Sequence, residues 1–227
     1  MAAIAVDGKS MRGTFSRTGG AGVHLLAALS HTTGDDRTEG IVLAQRQVEQ
    51  KTSEIAWFAP MLDQIDLTNT VVTADALHTT RDHARYLVER GGHYVFTVKE
   101  NQHRLFDLLD SLPWHEIPTA TTQDSDHGRT ERRTIQLAPL GNYLGYPVID
   151  SRMRHTHIEN RLHWVRDVTY AEDHSRVRTD HAPRVMATLR NFAINTLRHN
   201  GWDNIAKGLR HMARNPTRPL TLLGIPT

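Results

Sequence analysis

The stretch Asn69–Asn101, NTVVTADALHTTRDHARYLVERGGHYVFTVKEN, reads as strand, helix, strand. Val71, Val72 and Ala74 make a β-branched apolar run that stops at one carboxylate, Asp75. His83 to Arg90 is a short helical pattern closed by Gly91-Gly92, and Tyr94 to Val98 is a second apolar strand ending at Lys99. Chemistry in α/β proteins gathers at the carboxyl ends of strands, where Asp75 stands. Aspartate is also a common helix N-cap, so on this stretch alone the two roles stand level.

Working upstream, Ala3 to Val6 is a short apolar strand that runs into a second acid, Asp7, followed by Gly8, Lys9 and Arg12. Thr14 to Gly22 reads as a hairpin turn. Val23 to Leu29 and Gly40 to Val48 are further strands, and three strands at this spacing predict an antiparallel meander. Thr52 to Ile65 carries a helical stripe of Ile55, Phe58, Leu62 and Ile65; Pro60 is expected to limit where the regular helix starts. Meander, helix, strand, helix, strand predicts an α/β fold, a mixed sheet with helices on its faces.

Downstream, Gln102 to Leu112 is an amphipathic helix, residues 113–128 read as a polar loop, Arg129 to Leu137 as an exposed strand and Pro139 to Pro147 as irregular. Val168 to Tyr170 reads as a short strand. Pro183 to Asn200 is the clearest helix, with Val185, Leu189, Phe192 and Thr196 in one line, Pro183 suiting the first turn and Gly201 the C-terminal cap. A short helix near Ile205 to Met212 and a proline-rich end follow. The whole, 1–227, is expected to form one domain, with an insertion over 101–150 and a tail over 201–227.

The 227 residues, 38% hydrophobic with a mean hydropathy of −0.49, suit one soluble domain with a real core. No apolar run approaches the ~20 residues of a bilayer span, and MAAIAVDGKSMRG does not resemble a secretory signal, so no membrane partner is expected. The absence of cysteine removes thiolate chemistry and Cys-type zinc sites and suits a cytoplasmic location. Residues 1–150 hold 14 Lys/Arg against 19 Asp/Glu, a net of −5, whereas residues 151–227 hold 13 against six, a net of +7. That asymmetry suits an acidic catalytic part and a basic part facing phosphate.

Asp7 and Asp75 end strands expected to be neighbours in such a sheet. Two close carboxylates repel, and a divalent cation keeps both ionised; oxygen donors favour Mg2+ or Mn2+ over zinc. A third acid from a helix would complete a two-metal site for phosphodiester chemistry.

The strings AIAVDGKSMRG, VVTADALHT, GGHYVFTVKENQ and HIENRLHWVRDVTYAED together resemble the bacterial insertion-sequence transposases of the DDE type, more narrowly the H-repeat-associated, IS-As-one-like group. The resemblance implies a ribonuclease H-like core with an insertion before the last catalytic helix. It implies Asp7 and Asp75 as the first two acids and a late helical glutamate as the third. Glu159, in HTHIENRLHW, is preferred to Glu131, in HGRTERR, and Arg166 resembles the basic residue that accompanies that glutamate. The implied reaction is hydrolysis at an element end and strand transfer to target DNA, with Mg2+ or Mn2+ held by Asp7, Asp75 and Glu159. The implied partner is DNA, met as a homodimer, with the arginine-rich residues 152–218 on phosphate. Lys99, Asn101 and Gln102 match a family string and would meet phosphate, or else Asn101 caps a helix. His155, His157 and His163 lack paired zinc spacing and are expected to face solvent or DNA, and Trp164 the core. Relatives carry a helical region before the first acid, whereas this chain starts six residues before Asp7; Thr80 and His103 stand where Gln and Pro are usual. A truncated copy is therefore expected, with a non-catalytic DNA-binding remnant as the alternative.

Overall fold

The computed structural model describes residues 2–11, 14, 22–31, 40–49, 54–126, 129–138, 146, 165–175, 177 and 181–225. In chain order the elements are β1 (Ala2–Ser10), β2 (His24–Ser30), β3 (Val42–Val48), α1 (Glu54–Leu62), β4 (Thr70–Ala74), α2 (Arg81–Glu89), β5 (His93–Phe96), α3 (His103–Asp110), β6 (Thr119–Asp126), β7 (Arg129–Gln136), α4 (Ala182–His199), α5 (Ile205–Ala213) and α6 (Thr217–Leu222). The chain divides into two compact units, Met1–Thr97 with Ser151–Thr227, and Val98–Asp150.

In the first unit, five strands lie in the order β3-β2-β1-β4-β5. β1, β2 and β3 are the antiparallel meander, while β4 pairs parallel to β1 and β5 parallel to β4. This is the mixed sheet, flanked by helices, that the order of strands and helices predicts. β1 does not end at Asp7 as expected; it continues to Ser10, because β2 goes on pairing with it after β4 has stopped.

Alternation along the strands sorts the core into two layers. Ile4, Val6, Leu26, Ala28, Val72 and Ala74 face α1 and α2, packing on Phe58, Met61, Leu62 and Leu87. Ala5, Ala27 and Leu29 face the other way, onto Val165, Ile194, Leu197 and Ile205. β2 is buried along its whole length because both faces are covered.

α1 starts at Glu54 and passes through Pro60, six residues in, rather than starting near it. The proline removes one helical N–H two residues before the helix stops, which limits its cost. The chain end of α1 is closed from outside: Arg90 donates from Nη1 to the Leu62 carbonyl at 2.8 Å and from Nη2 to that of Ile65 at 2.8 Å. Gly91 follows in a left-handed conformation, φ +72°, the usual way to leave a helix.

Several sequence expectations are corrected. Val168 to Tyr170 is not a strand; Val165–Thr169 is a turn of π-helix. Arg166 is fully buried there: its Nε donates to Glu172 Oε2 at 2.8 Å and its Nη1 to Gln45 Oε1 at 3.2 Å. Arg190 Nη1 donates to the other Glu172 oxygen at 3.1 Å. Arg166 is thus a core tie, not a hand held out to a substrate. The helix expected near Ile205 to Met212 is α5, which anchors Ile205 in the core, while the proline-rich end after it is not irregular but forms α6 around Pro219. The expected line on α4 is solvent-facing: Val185, Leu189 and Phe192 are 50, 53 and 57% exposed, while Arg190, Asn191 and Arg198 are buried.

Glu172→Ala leaves two buried guanidinium groups without their shared carboxylate. We expect a loss of about 3–5 kcal/mol, measured as a shift in urea unfolding.

The second unit contains α3 and the antiparallel hairpin β6–β7. Residues 113–128 are therefore not all loop: β-branched threonines at 119, 121 and 122 lie in a strand. Trp114 Nε1 donates to the Leu109 carbonyl at 2.8 Å, and Gln136 Nε2 donates to the Trp114 and Ile117 carbonyls at 2.7 and 2.9 Å, tying helix, turn and hairpin together. Among the described residues, no helix is long and apolar enough to cross a membrane.

Candidate active site

The parallel register of β1 and β4 runs from Ala2↔Thr70 to Val6↔Ala74. One residue beyond that last pair, on adjacent strands, stand Asp7 and Asp75. Neighbouring strands are about 4.8 Å apart, so the two half-buried carboxylates grow from adjacent backbone positions. Val6 and Ala74 point at α1, so alternation turns Asp7 to the opposite face, and the extended backbone of Asp75, φ −72° and ψ 177°, keeps it there as well.

Asp75 does cap: its Oδ1 accepts from the Leu77 N–H at 2.9 Å, at the head of the 3-10 turn Ala76–His78. This uses one oxygen and leaves Oδ2 without a partner among the described residues. Asp7 Oδ1 accepts from the Gly8 N–H at 2.8 Å. Capping and ligation are therefore compatible. Two adjacent carboxylates supply the hard oxygen donors that a divalent cation requires. Among the described residues, no three His, Asp or Glu side chains come together as a metal-ligand set. Glu159 lies outside the described residues, as do His155, His157, His163 and Trp164.

Behind the two strands lies a residue that the sequence reading missed. Glu54, at the first position of α1, is 2% exposed. Its Oε1 lies 2.5 Å from His24 Nε2 and its Oε2 3.2 Å from His78 Nε2. His24 Nδ1 in turn meets Ser10 Oγ at 2.7 Å. Glu54 thus links β2, the end of β1 and the turn that follows Asp75. Burial alone would raise its pKa, but the hydrogen bonds and charge of His24 and His78 outweigh burial and lower it from 4.5 to about 2. A side chain at Gly8 has no room beside it, since a Cβ there would sit 2.2 Å from Glu54 Oε1. We therefore expect Gly8→Ala to cost about 1–3 kcal/mol in chemical denaturation, because the carboxylate it displaces is held from two sides. The available signal was an acid at a helix start within reach of histidines 24 to 30 residues away, and spacing alone does not reveal that.

Lys9 is also buried, and its Nζ pairs with Asp167, tying β1 to the π-helical turn. Glu131 lies on β7, opposite Asp124, in the second unit. Lys99 and Asn101 are exposed around the 3-10 turn Glu100–Gln102; Asn101 is not the cap of α3, whose N-cap position is Gln102.

Residues 1–196 match the family model described as "Transposase DDE domain". "Putative transposase YncI" of Escherichia coli O157:H7 is 25% identical over 86% of this chain and 61% of its own length. "H repeat-associated putative transposase YhhI" of Escherichia coli strain K12 is 25% identical over 93% of this chain and 67% of its own length. The chain thus spans about 61–67% of the length of these relatives. A solved piggyBac transposase synaptic complex with hairpin DNA aligns over 99% of this chain and 57% of its own, at 11% identity and a TM-score of 0.43.

Proposed function

We propose, from the premise that this chain belongs to the transposase DDE domain family, that it cuts and joins DNA strands at a divalent-metal site held by Asp7 and Asp75, with Glu159 as the third carboxylate. The observation that carries this reading is the β1–β4 register, which sets the two aspartates side by side at one end of the sheet. Mg2+ or Mn2+ suits the donor set; when bound, the metal stabilises the attacking and leaving oxygens of an in-line displacement at phosphorus. Asp7 and Asp75 would hold the metal through their carboxylate oxygens, side by side at neighbouring backbone positions. The cap on Leu77 fixes the Asp75 carboxylate, and Glu54 holds His78 of the turn that follows Asp75 against His24 of β2. The Lys9–Asp167 pair ties β1 to the segment eight residues beyond Glu159. Hydrolysis at an element end frees a 3′-hydroxyl, which then attacks target DNA.

The test is a labelled duplex carrying the element's terminal repeat, incubated with the purified chain and Mg2+ or Mn2+. Site-specific nicking that disappears with chelator is expected. Retained binding with no nicking in either metal would instead favour a non-catalytic DNA-binding remnant.

A further inference from the structure

The edge strand β3 reaches the same end of the sheet as Asp7. The register Asp7↔Ala27 and Ala27↔Gln45 places Gln45 two strands away, about 10 Å across the sheet. A groove of about 530 Å³ wraps this edge, between residues 45–47 of β3, Glu49 just beyond it, Trp57 of α1 and the first two turns of α4. Three features of it bear on a ligand. The Arg46 Cζ stands 3.4 Å from the centroid of the Trp57 ring, so a guanidinium is fixed on the wall as a charged platform. Exposed Arg184 lines the groove from α4. Gln47 Oε1 is buried with no hydrogen-bond partner among the described residues, whereas its neighbour Gln45 Oε1 accepts from Asn191 and Arg166.

The chemistry of the groove is two-sided. Arg46 and Arg184 call for an anion. Gln47 Oε1, with Glu49 beside it, calls for N–H donors, and Glu49 disfavours a continuous run of phosphates. A single unstacked nucleotide satisfies both: its phosphate meets the guanidinium groups, its base stacks on the outer side of the Arg46–Trp57 platform, and its edge donates to Gln47. We propose that this groove binds one unpaired nucleotide of the DNA strand, two strands across from Asp7. The proposal rests on the reading of the chain as a DNA-cutting enzyme and adds a contact outside the aspartate pair.

Binding is read by fluorescence anisotropy in EDTA, with a fluorescein-labelled duplex bearing a single-stranded tail and a blunt duplex of equal length. Arg46→Glu and Arg184→Glu are each expected to weaken the tailed duplex at least about tenfold and to reduce its salt slope by about one, with a smaller effect on the blunt duplex. Arg85→Glu makes the same charge change on α2, and is expected to weaken both duplexes slightly and alike. Both arginines of the groove are exposed, so folding is not at risk. Wild-type affinity in the two groove variants, or an equal loss in Arg85→Glu, overturns the proposal. Because no metal is present, tail binding that depends on Arg46 in a chain that cuts nothing supports the groove and overturns only the metal-site reading.

Discussion

Asp75→Asn is expected to leave the fold intact and to reduce metal-dependent strand cleavage by about a hundred- to a thousandfold, the scale of removing one preorganised electrostatic stabiliser. Asparagine keeps a carbonyl oxygen for the Leu77 N–H, so the cap survives, while the charge that would hold a cation is lost. Asp75→Ala removes both and adds about 1 kcal/mol of lost cap to the same loss of cleavage. Asp7→Asn, one strand away, is expected to match Asp75→Asn. Single-turnover cleavage and urea unfolding, measured side by side, separate the two jobs of one side chain. Cleavage that survives Asp75→Asn removes the aspartate from the chemistry and leaves it only a cap.

Glu54→Ala is expected to cost about 3–5 kcal/mol of stability, because two buried histidines lose their shared partner at once. Glu54→Gln, which keeps the shape and one acceptor, is expected to cost less. The acid dependence is fixed in sign. Glu54 has its pKa lowered in the fold, from 4.5 to about 2, so its contribution is full above about pH 4.5 and is lost as pH falls toward 2. The gap corresponds to on the order of 3 kcal/mol. His83 acts in the same direction: burial lowers its pKa below 6.5, so its share is full above that value and declines in acid. Wild type and Glu54→Ala should therefore converge in stability as pH is lowered. A difference that stays constant from pH 7 to pH 3 contradicts the ionised clamp.

The stretch from Asn69 to Asn101 was legible because each local signal agreed with its neighbour: a β-branched run, a capping acid, a short helix and a glycine exit. The acids Asp7 and Asp75 were legible as strand-associated residues, and their adjacency followed once β1 and β4 were taken as parallel neighbours. What stayed hidden depends on partners distant in the chain. α4 carries an apolar line at Val185, Leu189 and Phe192, yet it buries Arg190, Asn191 and Arg198. Those polar residues find partners in Glu172, in Gln45 and in the Gly40 carbonyl, the last two 146 and 158 residues away. Periodicity weighs a residue by its own polarity, and it cannot see an acceptor brought in by the fold. Glu54 escaped for the same reason, and so did Arg166, whose charge suggested a ligand contact and whose place is the core.

The sheet's two apolar faces are not finished at the same time. The face covered by α1 and α2 is closed by residues up to Leu87. The face bearing Ala5, Ala27 and Leu29 waits for Val165, Ile194, Leu197 and Ile205, which leave the ribosome after the whole Val98–Asp150 unit. At the usual 5–20 residues per second, the hundred-odd residues between Leu87 and Ile194 keep that face bare for on the order of ten seconds during synthesis. A nascent chain stalled near residue 150 is thus a one-sided sheet, a natural client for a ribosome-associated chaperone, and its release from that chaperone should coincide with the emergence of α4.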